Sequence, residues 1–151
     1  MNKVVMIGSR ASQDWGREIV ETLTANKTLI PEQDCGKVFM LSALAGFTVT
    51  LPSIADAMAG WSCDFIVKTA PTSNGYVITE DTDNDTDKII TNGINELEVD
   101  TSSDGPYNAG HTTITLAANV AVAGDRVRLF CDGTNWYATG QTNADGGAVL
   151  A

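Results

Sequence analysis

The residues best placed to do chemistry in this chain are carboxylates. Residues 80–87 read Glu-Asp-Thr-Asp-Asn-Asp-Thr-Asp, and alternating carboxylates can converge on Ca²⁺, which takes several hard oxygen ligands. An EF-hand beginning at Asp81 requires glycine at position 86 and glutamate at position 92. The chain has Thr86 and Asn92 there, so that motif fails. The run reads instead as a solvated acidic hairpin tip between residues 76–79 and 88–91, where charge discourages edge-to-edge pairing. A looser calcium loop is the alternative, and no metal ligand is assigned.

The single histidine, His111, lies in the run Asn108-Ala109-Gly110-His111. It could act as a base, but a triad also needs a nucleophile and an orienting group. No Gly-x-Ser-x-Gly elbow or cysteine signature accompanies it, and it reads as a surface-loop residue. One histidine excludes a His-rich metal site, and the three cysteines, Cys35, Cys63 and Cys131, lack the close pairs of a zinc site. They read as buried free thiols. A glycosidase needs one carboxylate buried enough to raise its pKa, facing a second across a cleft. Here the clustered acids sit in polar turns, and Asp56 and Asp64 have no aromatic surround in sequence. Trp61 and Trp136 flank strand-like runs and read as core. Gly8-Ser9-Arg10 follows a strand-like run, but no phosphate-binding glycine pattern continues from it. No catalytic or cofactor-binding set remains, and the chain is expected not to be an enzyme.

The elements that would carry these residues are strands. Phe47, Val49 and Leu51 alternate with Thr48 and Thr50, and Cys63, Phe65 and Val67 with Asp64, Ile66 and Lys68. Ile114, Leu116 and Ala118 alternate with Thr113, Thr115 and Ala117, and Val127, Leu129 and Cys131 with Arg126, Arg128 and Phe130. A period of two marks half-buried strands. Shorter candidates are residues 37–41, 76–79, 88–91 and 95–99. Asn74-Gly75, Asn92-Gly93, Asp104-Gly105-Pro106 and Asp132-Gly133 punctuate them as turns. The clearest hairpin joins residues 126–131 to 136–139. Ser53 and Pro52 predict one or two helical turns before Gly60, and residues 14–22 read as a weakly amphipathic helix or an extended arm. Leu23-x-Ala25-Asn26 before Gly36-x-Val38 is echoed by Leu116-x-Ala118-Asn119 before Gly124-x-x-Val127, one strand–turn–strand device used twice.

Short strands punctuated this often predict an all-β fold. The expected form is a compact antiparallel β-sandwich, jelly roll or small barrel, with an extended N-terminal arm and at most one short helix. The expected organisation is an arm over residues 1–22, a body over 23–140 and a flexible tail over 141–151. A chain of 151 residues, 43% of them apolar, fits one such domain. No apolar run reaches the roughly 20 residues of a membrane span, so no membrane is expected. Residues 1–40 carry five bases and five acids, whereas residues 41–151 carry four bases and fourteen acids, the whole net charge of −10. An acidic body repels phosphate backbones, so nucleic acid is not expected as a partner.

Residues 23–51, 59–71 and 124–140, the last with Gly-x-x-Val-x-Leu followed by Asp-Gly-x-x-Trp, resemble a β-rich module of tailed-bacteriophage virion proteins. That group includes small head decoration proteins and domains of tail fibres. The absence of shaft repeats or heptads, the short chain and the neutral N-terminal part lean towards the head. The resemblance implies a capsid decoration (cement) protein, made in the host cytoplasm and carried on the outer capsid surface. Its implied partners are the major capsid protein and, in a homotrimer, copies of itself. The implied capsid contacts are Lys3, Val4, Val5, Met6 and Ile7 as an added strand, with Trp15, Ile19 and Val20 as apolar anchors. The alternative is a tail-tip, baseplate or short tail-fibre protein binding a host surface glycan through residues 76–88 or 101–113.

Overall fold

The computed structural model describes residues 18–81, 89–97 and 109–151. Two sheets pack face to face as a β-sandwich. The larger contains β1 (Val20–Leu23), β3 (Val38–Ser42), β5 (Ser62–Thr69), β7 (Ile89–Glu96), β8 (Ala109–His111), β10 (Arg126–Cys131) and β11 (Trp136–Thr142), in the order β1-β3-β5-β10-β11-β7-β8. The smaller contains β2 (Lys27–Thr28), β4 (Thr48–Thr50), β6 (Tyr76–Thr79), β9 (Thr113–Leu116) and β12 (Ala148–Leu150), in the order β12-β9-β6-β4-β2.

The all-β expectation holds, but the sheets are mixed rather than antiparallel. The first six strands step alternately between the two sheets. As a result β1, β3 and β5 run parallel in one, and β2, β4 and β6 run parallel in the other. Each connection crosses the sandwich, and strands two elements apart therefore point the same way. Later strands add antiparallel neighbours, β10 beside β5 and β9 beside β6, and a direct hairpin is the shortest way to make such a reversal. The predicted hairpin does so: β10 and β11 pair antiparallel from Cys131↔Trp136 to Arg126↔Gln141. Its turn is held by Asp132, whose Oδ1 accepts the Thr134 and Asn135 N–H groups at 2.7 Å.

Two turn assignments differ from the sequence reading. Asn92-Gly93 lies inside β7, where the register against β11 shifts between Tyr137 and Thr139. A Cβ at Gly93 would sit 2.7 Å from the Ala138 carbonyl oxygen, so this glycine serves close backbone approach, not chain reversal. The strands flanking the acidic run also form no hairpin, because β6 belongs to the small sheet and β7 to the large one.

Among the described residues two short helices stand where at most one was expected. α1 (Pro31–Asp34) starts on a proline, whose fixed φ and absent N–H suit a first helical turn. α2 (Ile54–Ala57) is the predicted one, with Ser53 Oγ accepting the Asp56 N–H at 3.1 Å. The chain ends are also more built-in than expected. Val20, Glu21 and Thr22, placed in the arm, form β1 with Leu23 and pair with β3, because Leu23 has core to enter. Residues 141–151 finish β11 and form β12, which pairs with β9. There Ala148 is buried and the Ala151 carbonyl accepts the Thr112 and Thr113 N–H groups at 2.7 and 2.9 Å. A tail rich in small residues lies flat on an otherwise open sheet edge.

The core lies between the sheets. Phe39, Phe65, Val127, Leu129, Ile89 and Trp136 face Val49, Tyr76, Ile78, Ile114 and Leu116, all essentially inaccessible. Phe39 and Phe65 stack at 5.4 Å, and Trp61 meets Trp136 edge-on at 5.5 Å, placing both tryptophans in the core as read. Cys63 and Cys131 are buried and in no disulfide, whereas Cys35 is only half-buried.

Candidate binding surface

Strand alternation that sends Phe39, Phe65, Leu129 and Ala138 inward sends their neighbours out, and register then aligns those neighbours in rows. One row across the outer face of the large sheet runs Val20, Val38, Asp64, Arg128, Thr139, Gly93. Beside it runs Thr22, Met40, Ile66, Arg126, Gln141, Asn95. A third row contains Ser62, Phe130, Tyr137 and Ile90. Phe130 and Tyr137 are 41% and 37% exposed, large for aromatic side chains left in solvent. The middle of the first two rows, from Val38 and Ile66 across Asp64, Arg126 and Arg128 to Thr139 and Gln141, lines a groove of about 500 Å³.

Arg126 and Arg128 are the two arginines among the described residues, and both face this groove. Arg128 Nη1 stands 3.4 Å from Asp64 Oδ2. That contact is long for a charge-assisted bond, and it does not restore what burial removes. Burial pushes the Asp64 carboxyl above its ordinary range and Glu18 adds to the rise, against the opposing pull of Arg128 and Arg126. Aromatic and arginine side chains together are the composition of binding surfaces.

The margin of this face is β1, to whose outer side no strand pairs among the described residues. An ion cluster fastens it. Lys27 Nζ lies 2.6 Å from Glu21 and 3.2 Å from Asp34, and Lys37 Nζ lies 2.7 Å from Glu21 and 2.8 Å from Asp34. Asp34, 1% exposed, also accepts the Ile30 N–H at 2.8 Å. Burial alone would raise its carboxyl, but the Ile30 N–H and the two ammonium groups outweigh that and hold it below its ordinary value. Lys27 also sits 5.2 Å above the Phe39 ring.

Of the expected contact residues, Lys3, Val4, Val5, Met6, Ile7 and Trp15 lie outside the described residues. Ile19 and Val20 lie at the start of β1, Ile19 half-buried with its carbonyl accepting the Val38 N–H at 2.9 Å, and Val20 60% exposed. His111 sits on β8 opposite Ile89, within a strand rather than a loop. Glu80 is buried and Asp81 half-buried, while residues 82–88 lie outside the described residues. Among the described residues no group of three or more potential ligands could hold a metal. Burial pushes the Cys63 thiol far up, which disfavours the nucleophilic thiolate. Asp56 accepts a hydrogen bond from the Ser53 hydroxyl at 2.8 Å.

Sequence reading missed the groove and the Asp34 cluster. The visible signal was Arg126-x-Arg128-x-Phe130 alternating with Val127-x-Leu129-x-Cys131, which puts two arginines and an aromatic on one outer face. No family model, no curated protein and no solved structure matches this chain.

Proposed function

We propose that this chain is a non-catalytic structural module of a virion, a capsid decoration protein seated on the assembled head through its N-terminal part and the β1 edge. The observation that carries the reading is the edge itself. Among the described residues Val20–Leu23 form an outermost strand with Val20 largely exposed, and the ion pairs of Glu21 hold that strand in register. Such an edge is a template for strand addition, in which main-chain hydrogen bonds give affinity and alternate side chains give selectivity. The charge division supports the same orientation: the neutral part of the chain meets the shell, and the acidic body faces solvent. The sequence resemblance to phage virion modules supplies the partner, the major capsid protein, and a homotrimeric arrangement at sites where capsomers meet.

The mechanism is physical. Each copy adds a modest contact, and copies tied together multiply it through effective concentration. Binding the assembled shell but not free subunits shifts the balance towards the shell by mass action. Sedimentation of the purified chain with expanded, undecorated heads tests this. Saturation at a copy number commensurate with the icosahedral three-fold positions is expected, with Val20→Lys and deletion of residues 1–19 each reducing occupancy. Adsorption to host cells without binding to heads would replace the reading with a tail-tip role.

A further inference from the structure

We infer that the groove on the outer face of the large sheet is a binding site for a saccharide carrying a carboxylate, such as a uronic acid. The inference does not depend on where the module sits on a virion. In a body with fourteen acids and four bases, both described arginines project from one strand into one groove. Arg126 and Arg128 are two residues apart on β10, about 6.7 Å along the strand, a span across which one carboxylate can take donors from both guanidiniums. Guanidinium groups favour such planar, paired recognition. Arg126 has no ion pair among the described residues, and Arg128 has only the long contact to Asp64.

The remaining lining selects a sugar over a plain anion. Asp64, Thr139 and Gln141 offer an acceptor carboxylate, a hydroxyl and an amide, which suit ring hydroxyls. Ile66 gives the floor an apolar strip for a C–H face, and the cross-strand pair Phe130–Tyr137 stands exposed one row away. An acidic peptide offers no ring hydroxyls to Asp64 and Glu18, both at the groove, and leaves these acceptors facing only its carboxylates. A ligand with one carboxylate per ring and several hydroxyls uses both halves of the site. The volume of about 500 Å³ is within the range of small-molecule sites.

The test is NMR titration of the ¹⁵N-labelled full chain, following backbone and arginine side-chain resonances. The probes are trigalacturonate, its neutral methyl ester and a tetraglutamate peptide. Trigalacturonate is expected to shift Arg126, Arg128 and Gln141 saturably. The ester and the peptide should bind at least about tenfold more weakly, as loss of a charge-assisted pair implies. Arg126→Gln should weaken trigalacturonate by a similar factor with an unchanged melting midpoint, and Gln141→Ala by less. Absence of saturable shifts at the groove, or equal binding of the ester, would overturn the inference. Binding of tetraglutamate as tight as the sugar acid would reduce the site to a general anion patch and overturn the saccharide assignment.

Discussion

The two sheets share a core but turn different faces to solvent. On the small sheet, Thr28, Thr50, Thr79 and Thr113 stand in register across four strands. Beside them run Thr48, Val77, Thr115 and Val149. Neither row carries a charge, and both consist of β-branched residues that a pleated, half-buried surface prefers in any case. That face needs no explanation beyond making a sheet. The outer face of the large sheet mixes two arginines, an aspartate and two exposed aromatics, and Asp64 there ionises less readily than it would in water. Residues that do not serve the sheet, and that compromise their own hydration, point to a surface kept for contact.

One core serves both sheets, and removing part of it is expected to have the largest effect. Trp136→Ala removes a fully buried ring that meets Trp61, and should destabilise by about 4 kcal/mol in urea unfolding. A single transition with an unchanged slope would keep the sandwich one cooperative unit; two transitions would separate the sheets.

Next in size is the ion cluster under β1. Asp34→Ala leaves Lys27 and Lys37 without a buried partner, and a loss of about 3 kcal/mol is expected at neutral pH. The folded carboxyl lies below its ordinary value of 3.8. Its contribution is therefore fully present above pH 3.8 and is lost as pH falls through the folded value. The gap between wild type and variant in denaturant midpoint should accordingly narrow in acid. A gap independent of pH would show that the loss comes from packing, not charge.

Smaller effects separate the two faces directly. Thr50→Asp places a charge in the threonine rows and should cost about 1 kcal/mol by thermal melting, whereas Thr50→Val should stay within about 0.5 kcal/mol. Asp64→Asn should be the least disturbing, within about 0.5 kcal/mol at pH 7, because its pair with Arg128 is half-exposed and long. The sign is opposite to that of Asp34. A carboxyl raised in the folded state disfavours folding when ionised, and that penalty is relieved as pH falls through the raised value towards 3.8. A clear destabilisation by Asp64→Asn would make the groove a structural device and weaken its reading as a site.

Legibility followed locality. The inward set Val127, Leu129, Cys131 and the hairpin to Trp136 were readable because each depends on neighbours in sequence. So was the Ser53 cap. Asp34 was not: Pro31-Glu32-Gln33-Asp34 looks like a polar turn, and only the fold brings Lys27 and Lys37, both also paired with Glu21 of β1, onto its carboxylate. The last residues looked like a tail because small residues carry no strand signal until an open edge is present to receive them.

The sequence by itself determined which residues face inward along each strand, since alternation is a property of the extended backbone alone. It also determined the all-β class and the division of charge. Tertiary structure alone decided which strands lie side by side. Val38 meets Asp64 and Asp64 meets Arg128, partners separated in the chain by whole strands and crossings of the sandwich. Pairing at that range is chosen by what the shared core can bury once the loops have closed, and no local pattern encodes it. The groove exists only because that choice was made.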